Sequence, residues 1–240
     1  MLDSILHFFS PARVDLALDP GSVRTRIARP GEGLLLDEPS VLAVHRDSSQ
    51  IFSGGCAVGD LALQLRGRTP DHIRVVAPIE GGAVSDYALC EAMFAFYFRK
   101  IRRHRFQMLS HVMASVGGSA TPVQRRALVN CLERAGVRQG SLIPSAIAGA
   151  IGAGLPVAEP TANLVCNIGA GGCEVAAISF GDIVAAASAH AGGDAMNRAI
   201  LKYLQHHFSI REGIQRAEEI KIAIGSAWPL PEETQLEISG

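Results

Sequence analysis

The sequence lacks the cysteine and histidine patterns typical of a disulfide framework or a structural metal site. Its five cysteines are an odd number with no C-x-x-C pair, and its eight histidines are scattered without an H-E-x-x-H motif. Disulfide-rich domains and zinc sites show regular spacings of these residues. We therefore expect no structural metal, and a reducing compartment such as the cytosol.

The chain also lacks a strong charge of either sign. Its formal net charge is −1 at pH 7, with an isoelectric point near 6.7. A surface of this kind has no overall field that would attract the phosphate backbone of nucleic acid. We therefore expect no nucleic-acid partner.

A convincing membrane-spanning segment is missing as well. Residues 139–158 carry no charged side chain and are long enough to cross a bilayer. Prolines, serines and glycines interrupt this stretch, so a small-residue helix in the protein core explains it better. Because the chain has 240 residues, 48% of them hydrophobic, it can bury a sizeable core.

Two strand–turn–strand patterns stand out among the features that are present. The clearer one covers residues 163–178, where an apolar run stops at Gly169-Ala170-Gly171-Gly172 and then resumes. A weaker copy covers residues 14–28 and turns after Asp19. Either turn alone is most often only a hairpin. As a pair they predict a duplicated α/β architecture with phosphates between the halves, because glycine turns expose backbone N–H groups that a phosphate can approach closely.

The first ten residues form an amphipathic pattern without the basic start or cleavage site of a signal peptide. The apolar side chains share one face of a predicted helix: Leu2, Ile5, Leu6 and Phe9, with Phe8 beside them. One interpretation is a helix that lies in the membrane interface. The other is a helix packed on the protein or a frayed terminus. Asp3, with no lysine or arginine nearby, weakens attraction to anionic lipid.

Capping signals predict where two helices begin. Asp86 is the predicted N-cap of a helix that ends in a cluster of basic residues around Arg102. The segment Thr121-Pro122-Val123-Gln124 forms a capping box with proline at the first helical position, and Gly136 marks the end of that helix.

The segments around the second hairpin are less regular. Leu142-Ile143 predicts a short strand or turn, which is followed by an alanine- and glycine-rich helix at residues 145–154. Residues 155–160 have the composition of a linker and mark the predicted domain boundary. Residues 235–238 predict a strand without a visible partner, so the last domain is expected to be incomplete.

Several short motifs follow one another along nearly all of the chain. They are Leu36-Asp37-Glu38-Pro39-Ser40-Val41, Val58-Gly59, Gly67-Arg68-Thr69-Pro70, Gln124-Arg125-Arg126-Ala127, Ala150-Ile151-Gly152-Ala153-Gly154-Leu155-Pro156, Gly192-Gly193-Asp194 and Ile224-Gly225-Ser226-Ala227. In this order they resemble the MreB family of bacterial actin-like proteins, which determine rod shape. The resemblance implies the α/β fold shared by actin, Hsp70 and sugar kinases, with ATP and Mg²⁺ between two domains.

The resemblance also implies a division of the chain. Residues 1–11 would be a membrane-binding segment, and residues 12–158 the first actin-like domain, with a small insertion subdomain at about 33–76. Residues 159–240 would be part of the second domain, because the family's last segment, with a glycine turn over adenine, is absent. The family's filaments, anionic membrane surface and cell-wall synthesis partners imply a cytoplasmic protein at the inner face of the cell membrane.

The nucleotide contacts are likewise implied by the resemblance. The first phosphate turn would use Asp19, Gly21, Ser22, Val23 and Arg24, the second Gly169, Ala170 and Gly171, and the adenosine contact Glu218, Glu219, Ile220 and Lys221. Asp19 would also be a weak metal contact. The alternative interpretation is that the glycines are needed only to form the turns and that the charged residues only face solvent.

The sequence departs from the family pattern at positions that the family uses to bind the metal and to orient the attacking water. Asn167 stands where the family has an aspartate that holds the metal's water shell, and Pro144-Ser145 stand where it has a glutamate that orients the attacking water. Further departures are Pro20, Arg24, Gly81, Gly172 and Cys173. A lost carboxylate about 4 Å from a cation removes a few kcal/mol of attraction, and a lost base costs roughly 10²- to 10⁴-fold in rate.

These features favour an actin-like filament component of cell-shape determination that hydrolyses ATP slowly or not at all. The main alternative is an ATP-hydrolysing filament former in which Asp19 alone organises metal and water. A phosphotransferase would need a substrate domain and a catalytic acid, neither of which is visible. A membrane-bound adaptor built from residues 1–10 and the basic cluster near Arg102 is a fourth reading.

Overall fold

The computed structural model describes residues 15–46, 57–67, 69–102 and 109–238. The predicted membrane residues Leu2, Ile5, Leu6, Phe8 and Phe9 lie outside the described residues. The strands are β1 Leu16–Pro20, β2 Arg24–Arg29, β3 Gly33–Pro39, β4 Leu42–His45, β5 Ile73–Val76, β6 Ile79–Glu80, β7 Ala83–Val84, β8 Leu109–Val116, β9 Val137–Pro144, β10 Asn163–Ile168, β11 Cys173–Ser179 and β12 Asp182–Ala189. The helices are α1 Asp60–Leu65, α2 Tyr87–Ile101, α3 Pro122–Arg134, α4 Ser145–Gly152, α5 Gly193–Phe208 and α6 Ile214–Ile224.

The first sheet has five strands in the order β3-β2-β1-β8-β9. The first predicted hairpin is confirmed, since β1 and β2 pair antiparallel, whereas β1–β8 and β8–β9 pair parallel. Parallel strands end at the same edge of a sheet. The carboxyl ends of β1, β8 and β9 therefore bring Asp19, Ser115 and Ser145 to one edge.

A large core lies between this sheet and helices α2 and α3. Strand β1 alternates buried and exposed residues, so Leu16 and Leu18 face inward while Asp19 is exposed. Helix α2 contributes Tyr97 and Phe98 to this core. Both predicted caps are confirmed, because Asp86 accepts from the Leu89 N–H at 3.0 Å and the Thr121 capping box is complete.

A smaller unit lies beside the first sheet. Strands β4 and β5 pair antiparallel, and α1 packs on them around Val41, Ala43 and Ala62. Strand β3 belongs to the first sheet instead. The loop from Ser40 therefore carries the chain from the main sheet into this small unit.

The second sheet contains β10, β11 and β12, all antiparallel. Helix α4 packs on it through Ala146 and Ala150, which contact a cluster with Ala176 and Ile178. Small side chains on both surfaces let the helix approach the strands closely. The second predicted hairpin is confirmed in full, with Asn167 directly opposite Glu174.

Two boundary predictions and one strand prediction were wrong. The strand predicted at Leu142-Ile143 extends over β9, eight residues, because its pairing with β8 carries the polar Arg138 and Gln139 along. The helix predicted to reach residue 154 ends at Gly152, and Gly154 turns the chain with φ 73°. Residues 235–238 have no regular secondary structure.

No helix within the described ranges has both the length and the apolar character needed to cross a membrane. The uncharged stretch 139–158 is divided between β9, α4 and the turn that follows. Ile143, Ala146 and Ala150 are buried, whereas residues 151–154 are exposed, so the stretch belongs to the protein core only in part.

A buried hydroxyl ties α2 to the end of β3. The Tyr97 hydroxyl donates to the Pro39 carbonyl at 2.6 Å, and both residues are buried. Burial raises the pKa of the Tyr97 phenol, so it remains a donor through the neutral range. We expect Tyr97→Phe to lower the free energy of unfolding by about 1 kcal/mol, because the Pro39 carbonyl loses the buried phenol donor and keeps the Val41 N–H at 2.9 Å. Urea titration followed by circular dichroism would measure the change.

The matched control is Tyr203→Phe, because the Tyr203 side chain is largely exposed. This substitution should change the free energy of unfolding by less than about 0.5 kcal/mol. Equal effects of the two substitutions would show that the buried hydrogen bond contributes nothing to stability.

Candidate functional site

The two hairpin turns face each other across a cavity of about 600 Å³. Gly21, Ser22 and Val23 line it from the first turn, and the second turn lines it with all four of its residues, 169–172. Ser115 and Ser145 reach the cavity from the ends of β8 and β9. The duplicated arrangement expected from the sequence is therefore present, and it encloses a space.

Hydrogen bonds hold the first turn in shape. The Gly21 N–H donates to the Arg24 carbonyl at 3.1 Å, and a Cβ at Gly21 would lie 2.5 Å from that oxygen. The buried Ser40 hydroxyl donates to the Gly21 carbonyl at 2.6 Å. Glycine is required at this position because no side-chain atom fits beneath the turn.

The second turn packs directly against backbone. A Cβ at Gly171 would lie 2.7 Å from the Gly81 carbonyl carbon and the Gly82 nitrogen. The Gly82 N–H in turn donates to the Ser22 hydroxyl at 2.9 Å. The short β6–β7 hairpin is thus the spacer that sets the distance between the two turns.

The start of α5 is tied to the second turn as well. The N–H groups of Gly193 and Asp194 donate to the carbonyls of Gly169 and Ala170 at 3.1 and 2.9 Å. A Cβ at Gly192 would lie 2.5 Å from the Gly172 nitrogen. These two N–H groups of the helix are occupied by the turn, so the turn and α5 form one backbone-bonded unit.

Asp19 is engaged on both carboxylate oxygens. Its Oδ1 accepts from the Ser115 hydroxyl at 2.7 Å, and its Oδ2 lies 3.6 Å from Arg26 Nη1. Arg24 instead binds Asp37, through Nε to Oδ1 at 2.6 Å and through Nη2 to the Asp37 carbonyl at 2.6 Å. The Arg24 hydrogen bond holds the pKa of Asp37 below its usual value.

Sequence reasoning missed Arg26, which lines the cavity beside Arg24. A usable signal existed, because the hairpin register places Arg26 directly opposite Asp19. Opposed residues on antiparallel strands have side chains on the same face and close together. A charged pair across the predicted hairpin could therefore have been read from the sequence.

Sequence reasoning also missed Glu174, a carboxylate on the cavity wall that is only 7% exposed. Its Oε1 accepts from the Gly118 N–H at 3.1 Å, and its Oε2 accepts from the Ser145 hydroxyl at 2.7 Å. It lies on the inward face of β11 with Ala176 and Ile178. A glutamate on the apolar face of a strand was the available signal.

The residues expected to contact adenosine divide between two surroundings. Glu218 and Lys221 line the cavity, with Lys221 Nζ 2.5 Å from Glu218 Oε2. Glu219 instead pairs with Arg216 on an exposed face, and Ile220 is buried where α6 packs on α5. The structure thus brings two of these four residues to the cavity.

Asn197 on α5 adds a second hydrogen bond to the Glu218 carboxylate. Its Nδ2 donates to Glu218 Oε2 at 2.6 Å. Burial by itself raises the pKa of Glu218, but the hydrogen bonds from Lys221 and Asn197 outweigh it, so the pKa lies below its ordinary value. Glu218 therefore remains a paired carboxylate at neutral pH.

The cavity residues fit a magnesium ion poorly. Mg²⁺ in phosphate sites is typically held by one or two carboxylates together with phosphates and water. Here Asp19 already has a hydroxyl and a guanidinium partner. Asn167, which lines the cavity from β10, has a neutral amide. Within the described ranges, no group of three or more histidine, cysteine, aspartate or glutamate residues could hold a metal ion.

Comparison with known proteins agrees with this architecture. Residues 13–240 match the family described as MreB/Mbl protein. The chain is 38% identical over 227 residues to the cell shape-determining protein MreB of Escherichia coli strain K12, covering 94% of this chain and 65% of that protein. The chain therefore spans just under two thirds of that relative's length.

Solved structures give the same result. MreB5 of Spiroplasma citri, in forms bound to ADP and to AMPPNP, is 27% identical with a TM-score of 0.81, covering 90% of this chain and 64% of that chain. The MamK double helical filament, at 14% identity and a TM-score of 0.69, covers 86% of this chain and 64% of that chain and shares the fold. The predicted fold class is confirmed, and the chain belongs to the MreB/Mbl family of actin-like proteins.

Proposed function

We propose that this protein is an actin-like cytoskeletal component of cell-shape determination that binds an adenine nucleotide between its two hairpin turns. The observation that carries the proposal is the cavity bounded by both turns, into which Glu218 and Lys221 also project. Two relatives support it: one is a cell shape-determining protein, and the other has structures bound to ADP and AMPPNP. The exposed backbone of the turns would bind phosphate, and α6 would lie near the nucleoside.

We further propose that ATP hydrolysis is slow or absent. Pro144 and Ser145 have no acidic group to orient water, and Asn167 has none to hold a metal's water shell. The buried Glu174 accepts hydrogen bonds on both oxygens, so it acts as a tie between the β8 loop and the second turn. Each oxygen of Glu174 thus has one lone pair fewer with which to take a proton from water.

One observation favours a second candidate, an ATP-hydrolysing filament former. Asp19 and Glu174 both line the cavity, so two carboxylates remain on its wall besides Glu218, which is paired with Lys221. If a bound nucleotide displaced Ser145 from Glu174, a free carboxylate oxygen would face the cavity. Substitution at Glu174 separates the two candidates.

Self-association into filaments at the inner face of the cell membrane, with cell-wall synthesis proteins as partners, completes the proposal. The MamK double helical filament, which has the same fold, supports the self-association part of the proposal. The amphipathic pattern of residues 1–10 supplies an apolar face suited to a lipid interface.

Gly171→Ala tests the nucleotide cavity. Its new Cβ would lie 2.7 Å from the backbone of Gly81 and Gly82, so the second turn would have to move. We expect about a tenfold or larger loss of affinity for a fluorescent ATP analogue, measured by anisotropy, since displaced N–H groups no longer converge on a phosphate. Gly149→Ala is the control, because its Cβ would meet no atom within 4 Å. Unchanged affinity in Gly171→Ala, with an unchanged melting curve, would place nucleotide binding elsewhere.

Glu174→Gln tests the reaction. We expect single-turnover phosphate release with ATP and Mg²⁺ to be slow in the parent chain and to stay within about threefold in the variant, because the carboxylate is a structural acceptor. A fall of about 10²-fold or more would instead identify Glu174 as a base and favour the second candidate. Glu159→Gln, an exposed change that does not line the cavity, is the control.

Removal of residues 1–10 tests the membrane contact. We expect the full chain to sediment with vesicles that contain anionic lipid and the shortened chain to remain largely in the supernatant, because the apolar face of the segment is lost. Equal sedimentation of both chains would rule out the first ten residues as the anchor. Vesicles of neutral lipid measure how much of the binding depends on charge.

A further inference from the structure

We propose that the cavity binds nucleotide phosphates without a divalent metal ion and that the Arg26 guanidinium supplies the positive charge. This inference rests on the proposed nucleotide function and concerns which group neutralises the negative charge of the bound phosphates. It follows from the partners of the carboxylates and arginines on the cavity wall.

Three carboxylates line the cavity, and each has partners already. Asp19 accepts from Ser115 and faces Arg26, while Glu218 is paired with Lys221 and Asn197. Glu174 accepts from the Gly118 N–H and from Ser145. A dication in the cavity would compete with these partners for the carboxylate oxygens and, at Asp19, would approach a guanidinium of like charge.

Arg26 lies in a row of charges across the first sheet. The pairing register places Asp19 on β1 directly opposite Arg26 on β2, and Asp37 on β3 opposite its other side. All three side chains therefore lie on one face of the sheet, because directly opposed residues share a face. That face carries Arg24 and Arg26 to the cavity wall.

The two arginines differ in how tightly they are held. Arg24 donates two hydrogen bonds of 2.6 Å, one to the Asp37 carboxylate and one to the Asp37 carbonyl. Its guanidinium charge is therefore paired with the charge of Asp37. Arg26 lies 3.3 Å from Asp37 and 3.6 Å from Asp19, and its side chain is 49% exposed. Long ion pairs between exposed side chains contribute little to folding stability, so they can be exchanged for other partners at small cost. Arg26 is thus the guanidinium that can turn its planar donors toward a phosphate.

Chemistry and position agree on this role. A guanidinium presents parallel N–H donors that match two oxygens of a phosphate, and it stays charged at every physiological pH. Arg26 shares the cavity with the backbone of both turns. A phosphate held by the turns would therefore meet Arg26 where the family arrangement would call for a metal ion.

The test compares nucleotide affinity in Mg²⁺ and in EDTA, measured by anisotropy of a fluorescent ATP analogue. We expect the parent chain to bind equally, within about threefold, in both buffers. Arg26→Gln should lose about tenfold or more in EDTA and should recover part of the loss in Mg²⁺, because Asp19 is then free of its cation. Arg126→Gln, an exposed arginine on α3 that does not line the cavity, removes the same charge and should match the parent.

Each other outcome overturns a stated claim. Binding by the parent chain in Mg²⁺ but not in EDTA would overturn this inference and leave the proposed function standing. Binding in neither buffer would overturn both. Unchanged EDTA affinity in Arg26→Gln would remove Arg26 from the site. Arg26→Lys, which keeps the charge, should retain most of the binding, and its melting curve checks that losses at this position are not losses of folding.

Discussion

The cleft depends on contact between backbones that have no Cβ atoms between them. Gly171 lies against Gly81 and Gly82, and Gly192 lies against the second turn. A Cβ at Gly171 or Gly192 would lie 2.4–2.7 Å from backbone atoms, so one wall of the cavity would have to move. The second turn thus rests on the β6–β7 hairpin by van der Waals contact of the main chain, and the Ser22 hydroxyl joins the same hairpin to the first turn.

Electrostatic pairing organises the same space. Every carboxylate on the cavity wall among the described residues has a hydrogen-bond donor or a cation beside it. The family resemblance implies acidic groups where this chain has Asn167 and Pro144-Ser145. In the structure Ser145 donates to Glu174. Ser145 therefore holds a neighbouring carboxylate in place.

The two halves of the molecule reach similar geometry through different packing. The first sheet is covered by α2 and α3 over a core rich in large side chains such as Tyr97 and Phe98. The second sheet meets α4 through alanines, and this allows a closer approach. Because α4 follows directly from β9, the Pro144–Ser145 peptide bond links the first sheet to the helix that packs on the second. A movement of one sheet relative to the other would change the backbone angles at this junction.

Local signals in the sequence were sufficient for much of this fold. The hairpins at residues 163–178 and 14–28, the Asp86 cap and the Thr121 capping box are built from residues close together in the chain, so their patterns are readable without the structure. The family resemblance supplied the arrangement of the two halves. It also identified the turns that line the cavity.

The sequence by itself therefore determined the hairpins, the capped helices and the family. Only the tertiary structure decided the full length of β9, which forms by pairing with β8. It alone placed Glu174 between Gly118 and Ser145, and Arg26 in one row with Asp19 and Asp37. These contacts join residues that are distant in the chain or depend on strand register, and the energy of such a contact exists only once the backbone has brought its partners together.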